Sequence, residues 1–140
     1  MIVCSRRLQF CAGHRVYRHE SKCAHLHGHN YVVIFHATAP QLDEIGRVID
    51  FSELKNRLGR WIENNWDHGF VLYKEDKEAI EALKNVRGQK IHLLETNPTA
   101  ENMAEYLLRV VAPEQLGGTH VTVNKVVLWE TENAHVEVSQ

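Results

Sequence analysis

An α+β domain with a mainly antiparallel sheet is the fold class the sequence predicts, and three observations carry it. Runs rich in β-branched and aromatic residues lie towards both ends of the chain. Stretches with apolar residues at i, i+3, i+4 spacing lie between them. The resulting order is strand, strand, helix, short strand, helix, strand, helix, strand, strand, a grouping in which strands pair with near neighbours. At 140 residues the chain suits one core, and a single domain over 1–140 is expected.

Residues 2–12 alternate, with Leu8, Phe10 and Ala12 on one face, and predict a strand ending near His14. Residues 15–26 are polar and charged, a loop able to return the next strand antiparallel. That strand runs from His27 to Ala39, with Tyr31 to Phe35 at its centre. After a connection over 40–47, Asp50 reads as a helix N-cap and Glu53 as the second half of a capping box. Phe51, Leu54, Leu58, Trp61 and Ile62 then give one apolar stripe to about Asn65, most simply a face packed on a sheet. A short strand over 70–73, a weaker helix over 75–86 ended by Gly88, and a strand over 90–94 follow. Asn97-Pro98-Thr99 opens a third helix, with proline in its first turn and Ala100, Met103, Leu107 and Val110 inward. Strands over 120–130 and 134–138 close the chain.

Composition excludes several function classes. No apolar stretch approaches the roughly 20 residues that span a bilayer, and the first residues lack the apolar core of a secretory signal. Three cysteines, an odd number, are expected as free thiols of a cytoplasmic protein. A net charge of −2 argues against a nucleic-acid binder driven by bulk charge. Residues 1–22 nevertheless carry five basic side chains (Arg6, Arg7, Arg15, Arg18 and Lys22) against Glu20 alone. That cluster reads equally as a solvated face or as an attractor of an anionic small molecule.

Ten histidines are unusual, and their positions carry the information. In a strand, His27 and His29 point to the same side and form a ready chelate for zinc, with Gly28 leaving the other side free of bulk. His14 shares the parity of Phe10 and Ala12 and comes beside that chelate if the two strands pair antiparallel. Three imidazoles leave one position open on the metal, as in catalytic sites. Cys23, four positions before His27, has three open readings: a reactive thiolate, a fourth zinc ligand, or an inert loop thiol. Cys4 and Cys11 read as packing residues. Asp67 and His68 can act as an oriented acid–base pair. Glu101 fits the helix dipole of the third helix, and Glu130, after Trp129, is a strand-end carboxylate able to accept two parallel hydrogen bonds.

Taken together, Phe10-Cys11-Ala12-Gly13-His14-Arg15, Cys23-Ala24-His25-Leu26-His27-Gly28-His29-Asn30-Tyr31, Val48-Ile49-Asp50-Phe51, Trp66-Asp67-His68, Asn97-Pro98-Thr99-Ala100-Glu101-Asn102 and Trp129-Glu130-Thr131 resemble the 6-pyruvoyltetrahydropterin synthase family, in motif order and across nearly the whole chain. The interval from Cys23 to His27 resembles that of the bacterial carboxy-forming branch. The resemblance implies a T-fold (tunnelling fold): an antiparallel four-stranded sheet with helices on one side, assembled as a homohexamer of two trimers with active sites between subunits. It implies zinc on His14, His27 and His29, a catalytic Cys23, an acid–base pair Asp67–His68, and pterin binding by Glu101, Glu130 and Thr99. The implied reaction is lysis of 7,8-dihydroneopterin triphosphate to 6-carboxytetrahydropterin, for queuosine, with release of acetaldehyde and triphosphate. Pyruvoyl-forming and folate-pathway relatives are the alternatives, and a non-catalytic pterin-binding protein is a third. The segment after His68, Gly69 to Tyr73, and the long stretch over 74–89 depart from the family's usual pattern.

Overall fold

The computed structural model describes residues 1–140. Its six strands are β1 (Cys4–His14), β2 (His27–Thr38), β3 (Gly69–Tyr73), β4 (Ile91–Leu94), β5 (Thr122–Thr131) and β6 (Ala134–Ser139). They form one sheet in the order β4-β3-β1-β2-β5-β6. The four strands β1, β2, β5 and β6 pair antiparallel throughout, which is the expected four-stranded block. To it the chain adds β3 and β4, both parallel. A parallel pair needs a long crossover, and the sequence supplies two. The first helix carries the chain from β2 to β3, and the short helix Lys77–Lys84 carries it from β3 to β4. The stretch over 74–89 is therefore the crossover of a strand–helix–strand unit.

Burial follows the alternation of the strands. Phe10, Ala12 and His14 on β1, and Tyr31, Val33, Phe35 and Ala37 on β2, are buried on one face. The first helix (51–65) and the third helix (100–115) cover that face with Leu54, Leu58, Ile62, Met103, Leu107 and Leu108. The short helix packs on the other face, where Ala79, Ile80 and Leu83 meet Leu72 and Phe70 in a separate small cluster. The two long helices thus share one side as expected, and the added unit brings its own helix to the opposite side.

Both long helices contain a π-wound segment, Lys55–Gly59 and Leu107–Val111. A π-turn takes up an extra residue and shifts the phase of everything after it. Hence Val111 is buried in the third helix rather than the expected Val110. Phe51 begins the first helix but is 59% exposed, so the apolar stripe starts at Leu54. Asp50 caps that helix through the Ser52 amide at 2.7 Å, whereas the Glu53 side chain turns to Arg57 and leaves the reciprocal half of the capping box unmade. The third helix starts one turn-position later than expected: Thr99 is its N-cap, accepting from the Asn102 amide at 3.1 Å. Pro98 precedes the cap, which leaves its carbonyl free for another partner.

Candidate metal centre and active site

β1 and β2 pair in a register that sets His14 opposite His27 and Ala12 opposite His29. Shared parity then puts all three imidazoles on the helix-covered face. Burial differs among them: His14 is 1% exposed, while His27 and His29 are half-buried. The His14 Nδ1–H donates to the Pro98 carbonyl at 2.7 Å, and the His27 Nδ1–H donates to the His25 carbonyl at 2.7 Å. Carbonyls only accept, so both rings carry their proton on Nδ1 and present a bare lone pair at Nε2. These two Nε2 atoms lie 3.1 Å apart. Facing lone pairs repel unless a cation lies between them, and a second ring nitrogen tied to a carbonyl is the usual support of a metal-bound histidine. The His29 Nε2 is buried with no hydrogen-bond partner. One ligand atom from each of the three rings lies within 4.8 Å of the others. The residues fit a metal ion with three nitrogen ligands.

Electrostatics favour the ligand form. Burial pushes the His14 imidazole down to about 4, outweighing the opposite pull of the Pro98 carbonyl. Burial also lowers His29, although the Glu130 carboxylate opposes it. Glu130 sits 3.7 Å from His29 Nε2 and 3.9 Å from His14 Nε2, so its strand brings it to the rim of the imidazole cluster. The Tyr31 hydroxyl lies 3.5 Å from His14 Nδ1, and burial raises it well above its ordinary value.

The loop over 15–26 is fastened at its start, through Arg15 and Tyr17. Asn97 accepts from the Tyr17 amide at 2.8 Å and donates to the Tyr17 carbonyl at 2.9 Å. Arg15, a candidate for anion attraction, instead makes a double hydrogen bond to Asp76, at 2.7 and 2.5 Å, and touches Glu78. Cys23 lies in the one-turn helix Lys22–Ala24 and is half-buried with a free thiol. Its carbonyl receives the Val16 amide at 2.8 Å, which closes the loop on itself. Thr99 uses its hydroxyl as a helix cap, and Glu101 is exposed in the first helical turn beyond it.

Asp67 and His68 do not join the imidazole cluster within one chain. They lie with Cys11, whose parity on β1 is opposite to that of Ala12 and His14. Asp67 Oδ1 accepts from the Cys11 amide at 3.0 Å, and Asp67 Oδ2 is 3.0 Å from His68 Nδ1. His68 Nε2 faces the Cys11 thiol at 3.5 Å. Cys11, expected as a packing residue, instead lies against Asp67 and His68; its odd place between the buried Phe10 and Ala12 was the available signal. Cys4 does pack against the core. Asn97, the anchor of the loop, was legible only as part of the Asn97–Asn102 motif, with nothing local to mark Tyr17 as its partner.

Residues 3–140 match the model of a family described as 6-pyruvoyl tetrahydropterin synthase. A protein of Rickettsia felis named 6-carboxy-5,6,7,8-tetrahydropterin synthase is 43% identical over 138 residues, which covers 99% of this chain and 100% of that one. A protein of the same name from Aquifex aeolicus is 32% identical, covering 97% of this chain and 96% of its own length. Among solved structures, an uncharacterised protein of Wolinella succinogenes superposes with a TM-score of 0.80 at 24% identity, covering 99% of this chain and 98% of that one. The 6-pyruvoyl tetrahydropterin synthase of Caenorhabditis elegans superposes with a TM-score of 0.70 at 22% identity, covering 99% and 95%. These last two likenesses establish the fold, and the full-length family match establishes the rest: the chain belongs to the 6-pyruvoyl tetrahydropterin synthase family.

Proposed function

We propose that the chain is a zinc-dependent 6-carboxy-5,6,7,8-tetrahydropterin synthase. It takes 7,8-dihydroneopterin triphosphate and one water to the carboxypterin, acetaldehyde and triphosphate, on the route to queuosine. The observation that carries this reading is the convergence of His14, His27 and His29, with two bare Nε2 atoms 3.1 Å apart, in a chain 43% identical to a full-length protein of that name.

Zinc held by the three imidazoles would supply a Lewis acid that polarises the side-chain oxygens of the substrate. The chain's own groups do the remaining work. The Cys23 thiolate removes a proton from the substrate side chain, and His68, oriented by Asp67, returns a proton as triphosphate leaves. Glu130 and Glu101 accept the paired N–H groups of the pterin edge, with Thr99 beside them, so that the reacting carbon is held within reach of the base. Glu130 is well situated for this, at the rim of the imidazole cluster. Because His68 faces away from the imidazoles in its own chain, an active site shared between subunits of a hexamer accounts for both groups acting on one substrate.

Incubation with dihydroneopterin triphosphate, with mass spectrometry of the products, tests the reading. Acetaldehyde and the carboxypterin are expected; a pyruvoyl product or a hydroxymethylpterin would assign the chain to another branch. Cys23→Ala is expected to abolish turnover while zinc stays near one per chain by elemental analysis. Full activity in that variant would refute the assignment of the base.

A further inference from the structure

We propose that Cys11 is a nucleophilic site for soft carbon electrophiles, activated by His68 and Asp67 on the sheet face opposite the imidazole cluster. The arrangement has the three parts that nucleophilic catalysis asks for: a thiol, a base facing it, and a carboxylate that orients the base. Asp67 Oδ1 accepts from the Cys11 amide at 3.0 Å, which holds its Oδ2 3.0 Å from His68 Nδ1 as an ion-pair contact. A carboxylate at that distance favours the proton on Nδ1, the tautomer in which the bare Nε2 faces Cys11 Sγ at 3.5 Å.

The backbone is held in place for this geometry. His68 has φ +62, a left-handed conformation that is uncommon for a residue with a side chain. It is kept there by its own amide donating to the Cys11 carbonyl at 2.7 Å. Lys90 Nζ donates to the carbonyls of Asp67 and Glu63, both at 2.7 Å, and fixes the same turn from the residue before β4. β3 pairs with β1 only from Ala12 onward, so Asp67 and His68 occupy the edge of β1 that β3 leaves open at Cys11.

The thiol also has room for a ligand. Cys11 and His68 open on a cleft of about 390 Å³ that Gly13, Phe70 and Gln89 also line, together with the His27-Gly28-His29 stretch of β2. The charged groups around the pair are Asp67 and Lys90, with Lys55, Arg60 and Glu63 in the adjoining cleft of the first helix. On β2 the residue opposite Cys11 is the neutral Asn30.

In the reaction, the Cys11 S–H proton passes to His68 Nε2, giving a thiolate beside an imidazolium. With iodoacetamide as the electrophile, Sγ attacks the methylene carbon, a C–S bond forms, the C–I bond breaks and iodide leaves. The imidazolium then releases its proton to solvent. His68 also serves the proposed pterin reaction, but this experiment contains no substrate and reads alkylation alone, so either idea fails without the other.

The test is a time course of iodoacetamide labelling of the whole native protein at neutral pH, with peptide mapping of Cys4, Cys11 and Cys23. Cys11 is expected to react about tenfold faster than Cys4, and His68→Asn to remove that advantage. Asparagine tolerates the left-handed backbone, so this variant keeps the turn. Asp67→Asn, which disturbs the orienting carboxylate and leaves the imidazole, is expected to slow Cys11 selectively. Equal rates at Cys4 and Cys11, a Cys11 shielded in the native protein, or a Cys11 rate unchanged in both variants would each overturn the proposal.

Discussion

A single change of parity along β1 separates two kinds of chemistry. Ala12 and His14 look into the core, and Cys11 between Phe10 and Ala12 looks out at His68. The convergence of the three imidazoles was legible in the sequence because its geometry is local: two residues apart in a strand, plus one residue across an antiparallel pair. The adjacency of Asp67 and His68 was legible, but the thiol beside them, 57 positions away from His68, was not. Arg15 shows the same limit. Its basic cluster read equally as a solvated face or an anion attractor, yet its guanidinium is bound to Asp76, which is 1% exposed and caps the short helix. Arg15→Met should cost about 3 kcal/mol at neutral pH, since it strands a buried carboxylate. The hydrogen bonds from Arg15 hold the Asp76 carboxyl below the usual carboxylate range. Its contribution is therefore complete above that range and is lost as pH falls through the lower folded value. Denaturant melts of both proteins at pH 7 and in acid should show the gap between them narrowing in acid.

Elements were read well in kind and less well in phase. All three helices and all six strands were legible, because each has a clear period or a flanking cap. The π-wound segments were not: they insert one residue without any breaker, so they rotate Val111 into the core in place of Val110 with no mark in the sequence. The added parallel unit shows how pairing outruns periodicity, since nothing local told β3 to lie beside β1. The close approach of these two strands is itself testable. A Cβ on Gly13 would lie 2.4 Å from Cε1 of Phe70. Gly13→Ala should destabilise the protein by about 1–3 kcal/mol through displacement of that ring. The smaller Phe70→Leu, combined with it, should recover part of the loss in thermal melts.

For the molecule as a whole, the imidazole cluster and His68 lie on opposite faces of the same sheet, and this bears directly on assembly. If one reaction uses Cys23 and the metal of one subunit with His68 of another, inactive chains should complement each other. Co-assembly of equal amounts of Cys23→Ala and His68→Ala should restore about a quarter of the wild-type rate, as random subunit mixing gives. Rates that stay at the level of either variant alone, once mixing is verified by native mass spectrometry, would argue for a site built within one chain. The alternation of β1 carries one more implication. An insertion or deletion of one residue between Phe10 and His14 would exchange the two faces, turning a ligand outward and a thiol inward. Variation in chain length is therefore tolerable between Arg18 and Lys22, where the loop can absorb it, and ruinous within the strand itself.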